Sequence, residues 1–361
     1  MNYRVAEILD AETLSGASTK TIDLDYTDPL SRIIMRWHRT KTKEGMDAAG
    51  PADITKIELV DGAEVLASLT GYEAQALAMY NNPHTVQEYS QLLISNSQAD
   101  FFQLDFGRKL WDRALAFDPT KFINPQLKVS YDVDVSDTGV TSGTFEVYGY
   151  FFNDRRITPV GMLAPKEHYA NALGADGTWT NVELPNDRLI RRMNVRLHYT
   201  GYEPWYVADR LWFTENSGKQ TVFDWDTETL YRVMHTEYPP IVTKMVMGLT
   251  ATAQTYYVPQ SEYWVTPAQI GHESATPCYV DGGTGARGGK LALVGTGTEE
   301  YGAVIHGYLP WSTMDFKLGD LDDMEDWYDP AGKGKVEMRI LSHSGGTSGA
   351  CAVVLEQLRR Y

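Results

Sequence analysis

The sequence is short of cysteine, of basic residues and of long apolar runs, and each shortage narrows what the chain can be. Its two cysteines, Cys278 and Cys351, fit no metal-ligand spacing, which predicts buried free thiols rather than a bridge. Thirty-two Lys and Arg against 48 Asp and Glu leave a net charge of −16. Such a surface repels phosphate backbones, so no specific nucleic-acid recognition is expected. No segment approaches the roughly 20 apolar residues of a bilayer-spanning helix. The opening MNYRVAEILDAETLSGASTK lacks the apolar block of a secretory signal, so synthesis in the cytoplasm is expected. The eight histidines are scattered; none makes His-Glu-x-x-His, and His272-Glu273 stands without a second ligand at helical spacing. Neither metal nor cofactor is expected.

What is plentiful is strand-forming. The chain is 43% apolar and 12% aromatic, rich in Tyr, Thr, Val, Trp and Phe. In LKVSYDVDV, Leu127, Val129, Tyr131, Val133 and Val135 alternate with Lys128, Ser130, Asp132 and Asp134, the pattern of a sheet with one buried face. ITKIELVDGAEVLASL reads as a hairpin turning at Asp61-Gly62.

Much of the chain is written twice. FQLDFGRKLWDRALAFDP (from Phe102) and TMDFKLGDLDDMEDWYDP (from Thr313) share a Gly (Gly107, Gly319), a Trp in a short link, and Asp-Pro (Asp118-Pro119, Asp329-Pro330). Downstream, LKVSYDVDV matches VEMRILSHS, both copies reach Thr-Ser-Gly (Thr141 to Gly143, Thr347 to Gly349), and each ends in a final strand. The offset drifts only from 212 to 206 residues. Upstream, DPLSRIIMRW (from Asp28) answers NDRLIRRMNVRL (from Asn186), and two helix-like segments correspond, GYEAQALAMYNN (from Gly71) and DTETLYRVMHTEY (from Asp226). The expected fold is therefore all-β: two tandem eight-stranded jelly rolls with short helices, residues 1–153 and 154–361, the second carrying an elaborated loop over about 239–295.

Six of the ten residues from Asp320 to Asp329 are carboxylates. Met324 and Glu325 at the fifth and sixth positions break an EF-hand, and the first copy of this segment replaces most of the acids, keeping the frame of a turn. Gly283, Gly285 and Gly288 make a literal G-x-G-x-x-G, but the strand-like KLALVGTG follows where a dinucleotide site needs a helix. His343, Ser344 and Ser348 lie near one another without a nucleophile elbow. All three read as loops and turns.

The tandem architecture, with GYEAQALAMY, FFQLDFGR, LDDMEDWYDP and the terminal AVVLEQLRRY, resembles the double jelly-roll major capsid proteins of tailless, lipid-containing bacteriophages, a lineage related to adenovirus hexon. The resemblance implies a virion protein made in the host cytoplasm. It implies homotrimers of pseudo-hexagonal outline that tile an icosahedral shell, with neighbouring capsomers, penton and minor capsid proteins as partners and an internal membrane beneath. The chain is short for that family and shows no long basic N-terminal arm. Two basic clusters in corresponding places suggest contacts at the capsid base: Arg32, Arg36 and Arg39, with Lys41 and Lys43, and Arg188, Arg191 and Arg192, with Arg196. Salt bridges to acidic neighbours between subunits are the competing reading.

A rival of another class is a carbohydrate-active β-sandwich. It would be a glycoside hydrolase with acids among Asp322, Glu325 and Asp326, or a sugar-binding module stacking on Trp205, Tyr206 or Trp212. The whole-length duplication and the missing secretory signal count against it.

Overall fold

The computed structural model describes residues 2–81, 87–137, 139–153, 157–250, 253–269, 279–281, 287–294, 298–346 and 349–361. Cys278, His272-Glu273, Gly283, Gly285, Thr347 and Ser348 lie outside these. Cys351 is a buried free thiol.

The first half supplies β1 (Tyr3–Ser15), β2 (Ala17–Asp23), β3 (Leu30–Thr40), β4 (Ile54–Asp61), β5 (Glu64–Leu69), helix α1 (Gly71–Tyr80), β6 (Gln87–Leu92), β7 (Ser97–Asp105), β8 (Pro125–Asp132) and β9 (Ser142–Phe152). The second supplies β10 (Gly161–Ala172), β11 (Trp179–Glu183), β12 (Ile190–His198), β13 (Ala208–Glu215), β14 (Gln220–Asp226), helix α2 (Thr227–Glu237), β15 (Ile241–Thr250), β16 (Gln254–Tyr257), β17 (Gln260–Gln269), β18 (Tyr279–Asp281), β19 (Lys290–Val294), β20 (Thr298–Pro310), β21 (Thr313–Lys317), β22 (Glu337–Ser342) and β23 (Ala350–Arg360).

The strands assort identically in both halves. One sheet of the first half runs β1-β9-β3-β7 and the other β2-β8-β4-β5; their counterparts run β10-β23-β12-β21 and β11-β22-β13-β14. Setting β6 and the strands of the insertion aside, each half orders its eight strands 1-8-3-6 over 2-7-4-5, the Greek-key wiring of a jelly roll. The chain is a double jelly roll. The two rolls share a sheet: β5 meets β10 in parallel at Ser68 and Lys166, which fuses two four-stranded sheets into one of eight.

Local chemistry explains the elements the duplication marks. Thr70 caps α1, its hydroxyl accepting from Glu73 N while the Glu73 carboxylate accepts from Thr70 N, a reciprocal capping box. Asp226 caps α2 by accepting from Thr229 N at 2.8 Å. In the β4–β5 turn, Gly62 takes φ +59°, a positive angle open to glycine without strain. Strand β8 stops at Asp132, so Val135 sits in the following turn, not on the alternating face.

The insertion is larger than the loop read over 239–295. Its strands run to Pro310, forming one sheet ordered β17-β20-β15-β6 and another ordered β16-β19-β18. Strand β6 reaches in from the first half, pairing in parallel with β15. Met46, Leu92, Met245, Met247, Tyr256, Leu293 and Ile305 fill its own apolar core. This insertion crowns one end of the molecule, close to the α1 end of the first roll, where Trp311 Nε1 donates to Gln75 Oε1 at 2.9 Å. The opposite end, the base, gathers the connections following β2, β4, β7, β9 and β21, with the C-terminus.

Candidate assembly interface

The shared frame of the duplication is a base contact. Leu30 and Phe117 exchange backbone hydrogen bonds of 2.7 and 2.9 Å, and Ile190 and Tyr328 do the same at 2.9 and 3.2 Å. Each aromatic precedes the Asp-Pro, whose carboxylate caps the next turn: Asp118 accepts from Thr120 N at 3.1 Å and Asp329 from Ala331 N at 2.9 Å. Gly107 and Gly319 are needed for close approach, since a Cβ would meet Leu115 O at 2.7 Å or Asp326 O at 2.1 Å. The tryptophans do not correspond. Trp111 stacks on Tyr3 at 4.4 Å, whereas Trp327 is buried with Leu115, Leu163 and Leu358, where the base loops of the two rolls meet.

The acidic stretch is the base loop between β21 and β22, and its carboxylates cap its own amides. Asp326 accepts from Asp320 N at 2.6 Å, Asp320 from Asp322 N at 2.9 Å and Asp323 from Glu325 N at 3.0 Å. The acids face water, and no cluster of three or more potential metal ligands occurs among the described residues. Arginines hold the loop by its backbone: Arg108 donates to Asp322 O at 2.6 Å and Arg191 to Leu321 O at 2.9 Å.

The basic clusters do not form one ring. Strand β3 spans eleven residues, so Arg32 and Arg39 lie roughly 23 Å apart at about 3.3 Å per residue, near opposite ends of the first roll. Arg39 is buried between Asp53 at 3.0 Å and Asp100 at 2.7 Å. Burial pushes the Asp53 carboxyl up to about 6, opposed by Arg39 and by hydrogen bonds from Trp37 and Ser136. Arg191 pairs with Glu356 at 2.6 Å and Arg192 with Asp315 at 3.2 Å, all four buried. Their charges are neutralised inside the chain, which removes Arg39, Arg191 and Arg192 as contacts at the base. Arg32 to Asp105, Arg36 to Glu146 and Arg188 to Asp187 are half-exposed pairs. All of these ion pairs form within one chain.

The difference between the copies comes from what covers them. Along β3, Ile33, Met35, Trp37 and Arg39 face inward while Arg32, Ile34 and Arg36 are half-buried on the outer face. The outer face of β12 is instead covered by the first roll: the Arg196 guanidinium lies 4.4 Å over Tyr72, and Tyr80 OH donates to Thr313 O at 2.6 Å. Strand parity alone could have marked Arg39 as buried; nothing local could have marked Arg192.

The joint between the rolls also exposes what sequence reasoning missed. Matching registers put Ala6 of β1 where Lys166 of β10 stands, and Asp224 of β14 where Ser68 of β5 stands. Inside the chain β5 meets β10, where Leu66 to Leu69 of β5 and Gly161 to Pro165 of β10 are buried. Among the described residues, strands β14 and β1 have no strand partner on that side. All seven residues of β14 keep some exposure, although they include Val222, Phe223 and Trp225, and Leu14 is the one buried residue of thirteen in β1. Beside β14 lies an apolar groove of about 530 Å³, lined by Val222, Trp225, Val233, Met234 and Phe316. One flank of the chain thus ends in an open fifth strand of a roll, β14, and the other flank in an open first strand, β1.

The sugar-stacking residues are engaged elsewhere. Trp205 packs on Tyr231 at 4.5 Å, Tyr206 meets His343 edge-on at 5.8 Å, and Arg339 lies 4.5 Å over Trp212.

Three solved structures of similar fold span almost the whole chain. The major capsid protein P2 of bacteriophage PM2 has a TM-score of 0.58 at 8% identity, covering 99% of this chain and 98% of that one. The major capsid protein of Sulfolobus turreted icosahedral virus reaches 0.62 at 9%, covering 99% and 96%. PBCV-1 VP54, fitted into the virophage Sputnik, reaches 0.58 at 9%, covering 99% and 94%. No protein-family model and no characterised protein sequence matches the chain. At such identities the likeness is one of fold.

Proposed function

We propose that the chain is a major capsid protein, the structural subunit of a tailless icosahedral virion, with residues 1–153 and 154–361 as its two jelly-roll units. The observation that carries the reading is the pair of unmatched flanks. The joint within the chain joins a fifth strand to a first strand, and the chain presents one more of each, uncovered, on opposite sides. A second copy placed with the same geometry brings its β1 against β14 and buries the groove. Such a heterologous contact, repeated, closes a ring, and a homotrimer places six similar rolls around its axis. Full-length likeness to capsid proteins of a bacteriophage and of another virus supports the virion setting. Neighbouring capsomers, penton proteins and minor capsid proteins are the partners this assembly requires. The carbohydrate-active alternative is disfavoured by acids that cap their own loop and aromatics already packed.

The test is size measurement with negative-stain imaging, combined with mixing of Ala6→Cys and Asp224→Cys proteins. A trimer of hexagonal outline is expected, with a disulfide between chains where the two variants are neighbours. A monomer that hydrolyses or binds glycans, or a trimer that never forms this cross-link, would refute the arrangement.

A further inference from the structure

Helix α1 shows how the outer face of a roll is covered. It lies against β12 and β21, where the Arg196 guanidinium stacks on Tyr72 and Tyr80 OH donates to Thr313 O at 2.6 Å. Tyr72 is half-buried there, and Glu73, Ala76, Leu77 and Tyr80 are buried. Matching registers make Arg36 of β3 the counterpart of Arg196, and Phe101 of β7 the counterpart of Thr313. Thr313 is 2% exposed and Phe101 is 56% exposed. The outer face of the first roll is thus open at a point where that of the second is closed.

Helix α2 is the counterpart of α1, and its corresponding face is bare. With the caps Thr70 and Asp226 in register, Tyr72 answers to Glu228, Glu73 to Thr229, Ala76 to Arg232, Leu77 to Val233 and Tyr80 to Thr236. The spacing i, i+1, i+4, i+5, i+8 sets these five α2 residues on one side of the helix, and all five are exposed. Exposed apolar side chains gather on the same two surfaces: Val222, Trp225 and Val233 at the β14 groove, Val5 and Phe101 on the outer face of the first roll. The charges match as well. Glu228 stands where α1 offers Tyr72, and Arg36 stands where Arg196 meets that ring. Within one chain Glu228 pairs with Arg232 in the open and Arg36 with Glu146 partly in water.

We infer that α2 docks on the outer face of β3 and β7 of a second copy of this chain, with Glu228 pairing to Arg36 of that copy and the turn from Val233 to Thr236 covering its Phe101. The inference rests on the capsid reading, which places β1 of the copy beside β14, and it deepens that reading from a strand contact to a helix contact. The two joints then differ in chemistry. Inside the chain a guanidinium lies over an aromatic ring, whereas between chains a carboxylate meets the guanidinium at the same position. Only a copy in the register of the in-chain joint brings the two charges together, so the pair selects the placement more than it adds to the strength.

Charge exchange in the full-length protein, read by light scattering after chromatography over a dilution series, is the experiment. Arg36→Glu and Glu228→Arg should each weaken association by roughly tenfold or more, because each sets like charges face to face. The chain carrying both substitutions should recover most of that loss. An equal mixture of the two single variants should recover less, since a ring of three cannot alternate two kinds of chain and keeps one like-charge contact. Phe101→Ser, at a side chain exposed in the single chain, should weaken association while leaving the unfolding of the monomer unchanged. Trimers indifferent to both charge reversals, or a double variant no better than the single ones, would overturn the inference. The cross-link between Ala6→Cys and Asp224→Cys separates the two readings. Wild-type trimers whose cysteine variants cross-link but whose charge variants associate normally sink the helix contact alone, whereas a wild-type monomer sinks the capsid reading with it.

Discussion

At the scale of single residues, arginines on the duplicated strands β3 and β12 do different work because they are covered differently. Arg36 and Glu146 pair at 3.0 Å with Arg36 still partly in water, where solvent screening leaves an ion pair under about 1 kcal/mol. Arg192 faces Asp315 in a fully enclosed site, where Asn194 and Tyr238 also donate to the Asp315 carboxylate. Replacing Arg192 with Met strands that buried charge and should cost about 3–5 kcal/mol, whereas Arg36→Ala should cost under about 1 kcal/mol. Denaturant unfolding of the two variants checks the contrast; equal costs would mean that burial does not separate these pairs.

At the scale of elements, the joint between the rolls contains a proton-sensitive contact. Glu73 of α1 is buried beside Glu167 of β10, with Arg196 of β12 as the nearby cation. Burial first, and the Glu167 charge second, push the Glu73 carboxyl from 4.5 up to about 7. A carboxyl whose folded pKa is raised contributes stability that is fully present below about 4.5 and lost as pH rises through about 7. His198, next to Tyr72, works the other way: burial, then Arg196, hold its imidazole down to about 3, so its contribution is lost as pH falls below 6.5. Between about pH 4.5 and 6.5 the two effects oppose one another, so Glu73→Gln, which removes the loss between about pH 4.5 and about pH 7, should make thermal stability rise more steeply with pH up to about 6.5, as His198 dictates. A slope unchanged by Glu73→Gln would assign it to other groups. The elements themselves were unevenly legible. Helices α1 and α2 and strands β3, β8, β12 and β23 stood out because one face of each meets a core, which imposes a pattern or a cap. Strand β1 gave no alternation because nearly all of it is uncovered, and β14 was not singled out because its Val222, Phe223 and Trp225 keep some exposure and set no buried face. The crown was legible as an insertion by its length, but its sheets were not, because the parallel β6–β15 pairing joins segments about 150 residues apart, a link no local pattern carries.

At the scale of the whole molecule, the decisive property is that the two open flanks are of opposite kind. An isologous contact would use one patch twice, and blocking it would abolish association in every mixture. In the proposed ring the contact is heterologous, so each flank can be blocked alone. A lysine on an edge strand discourages pairing. Trp225→Lys closes the β14 flank, where Trp225 is 40% exposed, and Val5→Lys closes the β1 flank, where Val5 is 55% exposed. Both positions face water in the single chain, so each variant should fold with near-wild-type stability and remain a monomer of 40.5 kDa. Mixed in equal amounts, the variants retain one complementary pair of flanks between them, since Trp225→Lys keeps β1 and Val5→Lys keeps β14. They should form dimers of twice 40.5 kDa that cannot close a ring, because the far flanks of each dimer are both blocked. Light scattering after chromatography distinguishes the outcomes. Monomers alone in the mixture would indicate that the two flanks do not meet, and trimers in either single variant would place the contact elsewhere.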